Sequence, residues 1–220
     1  MNRFRTLSEM ARTGNLIIVS GPSGAGKSVL VASLLQRLPR VRFSVSYTTR
    51  APRGAERNGV EYLFVDRREF QLLILGDSLL EWAEVHGNYY GTSRIFVEDC
   101  LRAGDDVLLD IDVQGAAIVK RKRPDSIAVF ILPPSFQILR DRLRRRSLDD
   151  EVVIEQRLTR ARKEIRHYQE YDYLIINEDL GSSTHELESI ILSARCRMTA
   201  RIESAKSILA TFGGMDAEDP

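Results

Sequence analysis

The residues with the clearest chemistry stand near the start of the chain. Gly21-Pro22-Ser23-Gly24-Ala25-Gly26-Lys27-Ser28 matches the spacing G-x-x-x-x-G-K-[ST]. Glycines there let main-chain N–H groups turn inward and form an anion nest at a helix N-terminus. Lys27 then reaches the β- and γ-phosphates of a nucleoside triphosphate, and the Ser28 hydroxyl is placed to ligate Mg²⁺. The run Leu16 to Ser20 before it is apolar and β-branched, and Lys27 to Leu38 after it is amphipathic. Strand, loop and helix in that order are the context the motif needs. A second apolar run, Val107-Leu108-Leu109, ends in Asp110. A carboxylate at a strand end is the usual partner of such a loop and holds Mg²⁺ directly or through water. It also fits a plain helix N-cap. Binding of a triphosphate follows from these residues; whether the chain is a GTPase, an ATPase motor or a small-molecule kinase does not.

Further segments narrow the choice. Ser46-Tyr-Thr-Thr-Arg50-Ala-Pro-Arg53-Gly-Ala-Glu56 leads into Gly59-Val-Glu-Tyr62. Leu80-Glu81-Trp-Ala, Gly87-Asn-Tyr-Tyr90-Gly-Thr92 and Asp110-Ile-Asp112-Val-Gln-Gly115 follow in order. With the phosphate loop, this ordered set resembles the guanylate kinase family from about residue 15 to about residue 197. The resemblance implies an ATP:GMP phosphotransferase of purine nucleotide metabolism that uses Mg²⁺, with ATP and GMP as its small-molecule partners. It places Ser46, Arg50, Arg53, Glu56, Tyr62, Glu81, Tyr90, Thr92, Asp110 and Asp112 at the acceptor nucleotide. The chemistry is coherent. A phosphate dianion calls for the forked donors of Arg50 and Arg53 and the hydroxyls of Tyr62 and Tyr90. Guanine presents N1–H and N2–H₂ donors beside an O6 acceptor, which suits Glu81 and Asp112 as acceptors and Ser46 and Thr92 as hydroxyl partners. Adenine would leave Glu81 facing an unprotonated N1, and sites that match hydrogen bonds reject such analogues strongly. Glu56 is expected to orient the arginines. Taken singly, each of these residues also fits an ordinary packed or solvated position.

Arg140-Asp-Arg142-Leu-Arg144-Arg145-Arg146-Ser147 precedes a helix that carries Arg157. Positions four apart share a helix face, so Arg142 and Arg146 point together. By resemblance this is a mobile lid, and Arg142, Arg146 and Arg157 bring charge to the triphosphate beside Lys27. Alone, the cluster fits a solvated basic face or a nucleic-acid patch equally well. The family usually has Gly-Arg-Gly where Arg145-Arg146-Ser147 stands, and Pro-Gly where Gly54-Ala55 follows Arg53. Asn177 matches an asparagine near the adenine pocket, although Asn after a strand also forms turns.

These residues require a scaffold, and composition supplies one. The chain has 220 residues, 43% hydrophobic and 29% charged, enough for one α/β domain with a packed core. Its net charge of +1 argues against bulk coating of nucleic acid. Lysine stands at only five positions, so 27 of the 32 basic residues are arginine, the better binder of phosphate and carboxylate. Cys100 and Cys196 are far apart without metal-like spacing, which points to a reducing compartment. No apolar run is long enough to span a bilayer, and residues 1–13 lack the apolar stretch of a signal peptide, so a cytoplasmic protein is expected.

Strands at Val107 to Ile111, Ile127 to Leu132 and Tyr173 to Ile176 alternate with helices at Phe136 to Arg146, Glu151 to Tyr168 and Thr184 to Leu209. That pattern predicts a P-loop NTPase-type parallel sheet flanked by helices. The expected organisation is a leader at 1–13 and a kinase-like domain at 14–197, then a helix end and acidic tail at 198–220. Within the domain the core is 14–42, 92–138 and 158–197, with a β-containing GMP-binding insertion near 43–91 and a helical lid near 139–157. The apolar residues of the last helix fit a core cover or a second copy, so monomer and homo-oligomer both stay open. Three rivals also stay open: a phosphopeptide-binding scaffold, a kinase for a phosphorylated sugar, and an RNA-binding role for the arginine cluster.

Overall fold

A computed structural model describes residues 12–85, 87–146 and 151–212. The leader through residue 11, Ser147 and the tail from residue 213 lie outside the described residues, as does the side chain of Arg146.

The centre of the molecule is β1 (Leu16–Ser20), buried along its whole length. It pairs in parallel with β7 (Asp106–Asp110) on one side and β8 (Ile127–Leu132) on the other. β2 (Val41–Phe43) extends the sheet beyond β7, and β9 (Tyr173–Ile176) extends it beyond β8. The strand order β2-β7-β1-β8-β9 makes a five-stranded parallel sheet. A parallel sheet buries both faces, so its strands read as near-continuous apolar runs. The two-residue period of β1 sends Ile17 and Val19 to one core and Leu16 and Ile18 to the other. The first core is closed by α1 (Lys27–Arg37), through Leu30, Val31 and Leu34. Leu187 and Ile191 of α7 (Leu180–Ala194) complete it. The second is closed by α3 (Arg94–Arg102), through Val97 and Leu101, and by Ala116 and Val119 of α4 (Val113–Lys122).

A second sheet, ordered β4-β3-β6-β5, lies in the region that reads from sequence as an insertion. It holds β3 (Tyr47–Thr48), β4 (Leu63–Phe64), β5 (Leu79–Val85) and β6 (Asn88–Ser93), with α2 (Arg67–Leu75) between β4 and β5. Phe70 of α2 is fully buried and stacks on Tyr89 at 5.4 Å. The β5–β6 register shifts between Leu79 and Glu81, which sets Glu81 opposite Thr92. Irregularities of this kind re-aim a side chain.

The arginine-rich segment is a helical hairpin, α5 (Phe136–Arg146) and α6 (Glu151–Glu164). Its apolar seam is Leu139, Leu143, Ile154, Leu158 and Ala161, all buried. After Glu164 the chain tightens into a 3-10 turn, Ile165–Glu170, so the α-helix expected to reach Tyr168 ends four residues earlier.

The predicted C-terminal helix from Thr184 to Leu209 is two helices, α7 and α8 (Met198–Leu209). Arg195 explains the break. Its Nε donates to the buried Asp106 at 2.7 Å and its Nη2 to the Pro39 carbonyl at 2.7 Å. Its own carbonyl takes Arg201 Nε at 2.9 Å, and three-residue turns at Cys196 and Arg197 redirect the chain. No described helix is long and apolar enough to cross a membrane.

Candidate active site

The phosphate loop leaves the C-terminal end of β1. From there the chain crosses outward past β7 to β2, while β8 and β9 build the other flank. Ligands of open parallel sheets bind at such a switch in strand order. Gly26 has φ +96°, and a Cβ there would lie 2.3 Å from Asn177 Nδ2, so the position demands glycine. α1 begins without a side-chain cap, which leaves its first N–H groups directed at the loop. Lys27 Nζ donates to the carbonyls of Gly21 at 2.7 Å and Pro22 at 3.4 Å, across the mouth of the nest. Ser28 Oγ donates to Asp110 Oδ2 at 3.4 Å. Burial pushes the Asp110 carboxyl above its ordinary range, against the pull of the Lys27 cation and the Ser28 hydroxyl.

A cleft of about 430 Å³ joins this loop to the second sheet. Gly21, Ser23, Gly24, Gly26, Lys27, Ser28, Asp110 and Asp112 line it from the core, and Ser46, Tyr62, Glu81 and Tyr90 from the insertion. Arg157 reaches it from α6. Glu81 is the most unusual group present. It is only 3% exposed, and its Oε1 accepts the Thr92 hydroxyl at 2.6 Å. Burial pushes its carboxyl up to about 7; the Thr92 hydrogen bond and Lys122 oppose the shift, and Asp112 adds to it. Gly115 allows the approach, since a Cβ there would come 2.9 Å from Glu81 Oε2. Asp112 caps α4, its Oδ1 taking the Gly115 N–H at 2.9 Å.

Arg50 lies just behind the cleft wall. Its two terminal nitrogens grip both oxygens of Glu56, at 2.9 and 3.0 Å. That pair, with Tyr90 as a further partner, raises the guanidinium's pKa, and the Arg50 hydrogen bond holds Glu56 below the usual carboxylate range. Arg50 also covers the Tyr62 ring at 5.2 Å, and Tyr62 meets Tyr90 edge-on at 5.8 Å. Arg53 is exposed, and its main-chain N–H donates to Glu56 Oε2 at 2.8 Å. Glu56 therefore ties both arginine positions into one turn.

On the helical hairpin, Arg157 Nη2 donates to Ser23 Oγ at 2.8 Å. Arg142 bridges the carbonyls of Ala25 and Asn177, at 3.3 and 2.9 Å. Asn177 is buried, and its amide donates to the Ala25 carbonyl at 2.7 Å. Its side chain thus braces the phosphate loop from below. Two charged cleft residues are not foreseen from the sequence: Arg160 and Glu164, both on α6. Their only signal is spacing, since Arg157, Arg160 and Glu164 fall on one helix face.

A phosphate loop on the central strand of a parallel sheet, faced by an arginine-bearing hairpin and a β-sheet insertion, defines a P-loop kinase. Comparisons with known proteins sharpen this. Residues 13–194 match the family model described as guanylate kinase. A guanylate kinase of Alcanivorax borkumensis is 51% identical over 192 residues, covering 87% of this chain and 92% of that one. One from Desulfitobacterium hafniense is 46% identical over 185 residues, covering 84% and 92%. The crystal structure of guanylate kinase from Anaplasma phagocytophilum superposes with a TM-score of 0.77 at 33% identity, over 93% of this chain and 98% of that one. The chain belongs to the guanylate kinase family, whose reaction is phosphoryl transfer from ATP to GMP.

Proposed function

We propose that this cleft carries out the family reaction, moving the γ-phosphoryl group of ATP to GMP to give ADP and GDP. Arg50 and Arg53 hold the acceptor phosphate with the Tyr62 and Tyr90 hydroxyls, and Glu56 fixes the arginines. Glu81, as carboxylate, accepts from guanine N1–H and N2–H₂, with Asp112 as a second acceptor. Ser46 and Thr92 serve the base as hydroxyl partners. The loop N–H groups and Lys27 cradle the donor phosphates, and Asn177 steadies the loop beneath them. Arg142, Arg146 and Arg157 bring lid charge to the bridge between the β- and γ-phosphates, where negative charge migrates during transfer. No dedicated general base is needed, because the attacking oxygen is already ionised. In this reading the lid spans 139–157 and the acceptor insertion 43–91.

Mg²⁺ fits the donor set. Ser28 Oγ and Asp110 Oδ2 are hard oxygen ligands 3.4 Å apart, and the described residues hold no cluster of three or more acidic, His or Cys ligands. Mg²⁺ usually takes one or two such groups and completes its shell with phosphates and water. Bound there, directly to Ser28 and directly or through water to Asp110, it would neutralise the phosphate oxygens. The two cysteines are free, which fits a reducing compartment such as the cytoplasm.

The observation that carries the proposal is the buried Glu81 in one cleft with Lys27 and Ser28. A labelled-phosphate experiment tests it. With [γ-³²P]ATP and Mg²⁺, label is expected in GDP when GMP is supplied, and little in the products from AMP, CMP, UMP or a phosphorylated sugar. Label passing mainly to another acceptor would overturn the assignment.

A further inference from the structure

One main-chain carbonyl beside the acceptor cleft takes its hydrogen bond from the core. β5 is an outer strand of the second sheet, and its register with β6 steps from Leu79 opposite Ser93 to Glu81 opposite Thr92. Leu80 is therefore the extra residue of a β-bulge, with no residue opposite it on β6. A bulge on an edge strand disrupts the ladder, and its main-chain groups need partners from elsewhere. Leu80 finds both of its partners on α4. Its side chain joins Val119 in the second core, and its carbonyl accepts the Lys122 ammonium at 2.7 Å. That carbonyl belongs to the peptide unit whose nitrogen is Glu81's own.

α4 thus holds the Leu80–Glu81 segment at two points. At the start of the helix, Gly115 lets Glu81 Oε2 come to where a Cβ would stand 2.9 Å away. At its end, Lys122 holds the peptide in front of Glu81. Gly115, Val119 and Lys122 stand four and three residues apart, so one helix face carries all three contacts. Among the described residues, the charged groups facing the Glu81 carboxyl are Asp112 and Lys122, while Thr92 of β6 donates its hydroxyl at 2.6 Å. Asp112 favours the protonated acid and Lys122 the carboxylate. We propose that Lys122 is a positioning residue of the acceptor site, which grips the Leu80 carbonyl and so fixes the bulge that aims Glu81 over Gly115. The same ammonium stands on the side of the ionised carboxylate that guanine's donors require. The proposal rests on reading Glu81 as the carboxylate that selects the acceptor base.

Steady-state kinetics of wild type, Lys122→Met and Lys122→Arg test it. Lys122 is an exposed residue, and methionine keeps its stem while removing donor and charge. K122M should raise the KM for GMP about tenfold, the scale of one hydrogen bond from a charged group, with ATP KM and kcat little changed. K122R still carries a charged donor and should return the KM toward wild type. In K122M the acid limb of kcat/KM for GMP should move to higher pH, because the carboxylate has lost its neighbouring cation. The GMP phosphate titrates alike in both proteins and cancels in that comparison. A GMP KM unchanged in K122M, equal losses on both substrates, or acid limbs that coincide would overturn the proposal. A wild-type chain that transfers nothing to GMP would instead remove the acceptor reading, and the proposal with it. A second measurement needs neither variant nor substrate. The Lys122 Nζ resonance of ¹⁵N-lysine-labelled wild type should shift as Glu81 titrates near pH 7, and a signal flat across that range would refute the link between the two groups.

Discussion

Replacing Glu81 with glutamine should make the protein more stable and a poorer enzyme, with a stability gain that grows from about pH 4.5 and is complete above about pH 7. The carboxyl is 3% exposed and pushed up to about 7 from an ordinary 4.5, chiefly by burial. Below pH 4.5 it is protonated in both the folded and unfolded chain and contributes no difference. As pH rises from there, the unfolded chain ionises first, so folded-state stability falls by about 1.4 kcal/mol per pH unit. Above pH 7 both states are ionised and the cost levels off at roughly 3 kcal/mol. Glutamine copies the protonated group in shape, and its carbonyl still accepts the Thr92 hydroxyl. Urea unfolding followed at pH 5 and pH 8 is the assay. E81Q should exceed wild type by roughly 3 kcal/mol at pH 8, on the order of a 10 °C rise in Tm for a chain of this size, with most of the gap gone at pH 5. A gap of the same size at both pH values, or an E81Q less stable than wild type at pH 8, would refute the reasoning. The same variant should lose about 10²-fold or more in kcat/KM for GMP, because an ionised acceptor for two base donors is gone. Its ATP affinity should hold.

Two other substitutions probe the site from different sides. Arg50→Lys removes the two-point grip on Glu56. It should raise the KM for GMP by about tenfold or more with ATP KM little changed, since lysine cannot replace a bidentate fork; equal effects on both substrates in steady-state kinetics would count against an acceptor role. Gly115→Ala places a methyl 2.9 Å from Glu81 Oε2 and 3.3 Å from Asp112 Oδ1. It should weaken GMP binding by calorimetry while sparing ATP, and a GMP Kd equal to wild type would show that Glu81 does not depend on that close approach.

Features whose cause is local could be read directly from the chain. The apolar β1, the glycine-rich turn and the amphipathic α1 are adjacent in sequence, so motif and context arrived together. Arg50 and Glu56 are six residues apart, and their pairing closes within one loop. Features set by distant partners could not be read this way. The helix break at Arg195 depends on Asp106, 89 residues earlier, whose carboxylate is fully buried at the start of β7. Sequence periodicity there continues smoothly through the break. Arg160 and Glu164 enter the cleft because the seam of Leu139, Leu143, Ile154 and Leu158 fixes the rotation of α6. Nothing in the α6 residues alone says which of its charged faces turns inward. The amide of Asn177 meets a carbonyl 152 residues earlier, so its bracing of the loop is likewise a product of the fold.

In the proposed reaction the buried Glu81 carboxylate selects the acceptor base. The most direct measurement is the ratio of kcat/KM for GMP to that for AMP, with ATP and Mg²⁺ saturating, at pH 8, where Glu81 is ionised. Hydrogen-bond matching of this type gives discrimination of about 10⁴-fold. A ratio of that order in the wild type that collapses in E81Q is the predicted result. A wild-type ratio within tenfold of unity, or one that E81Q leaves intact, would show that Glu81 does not select the base.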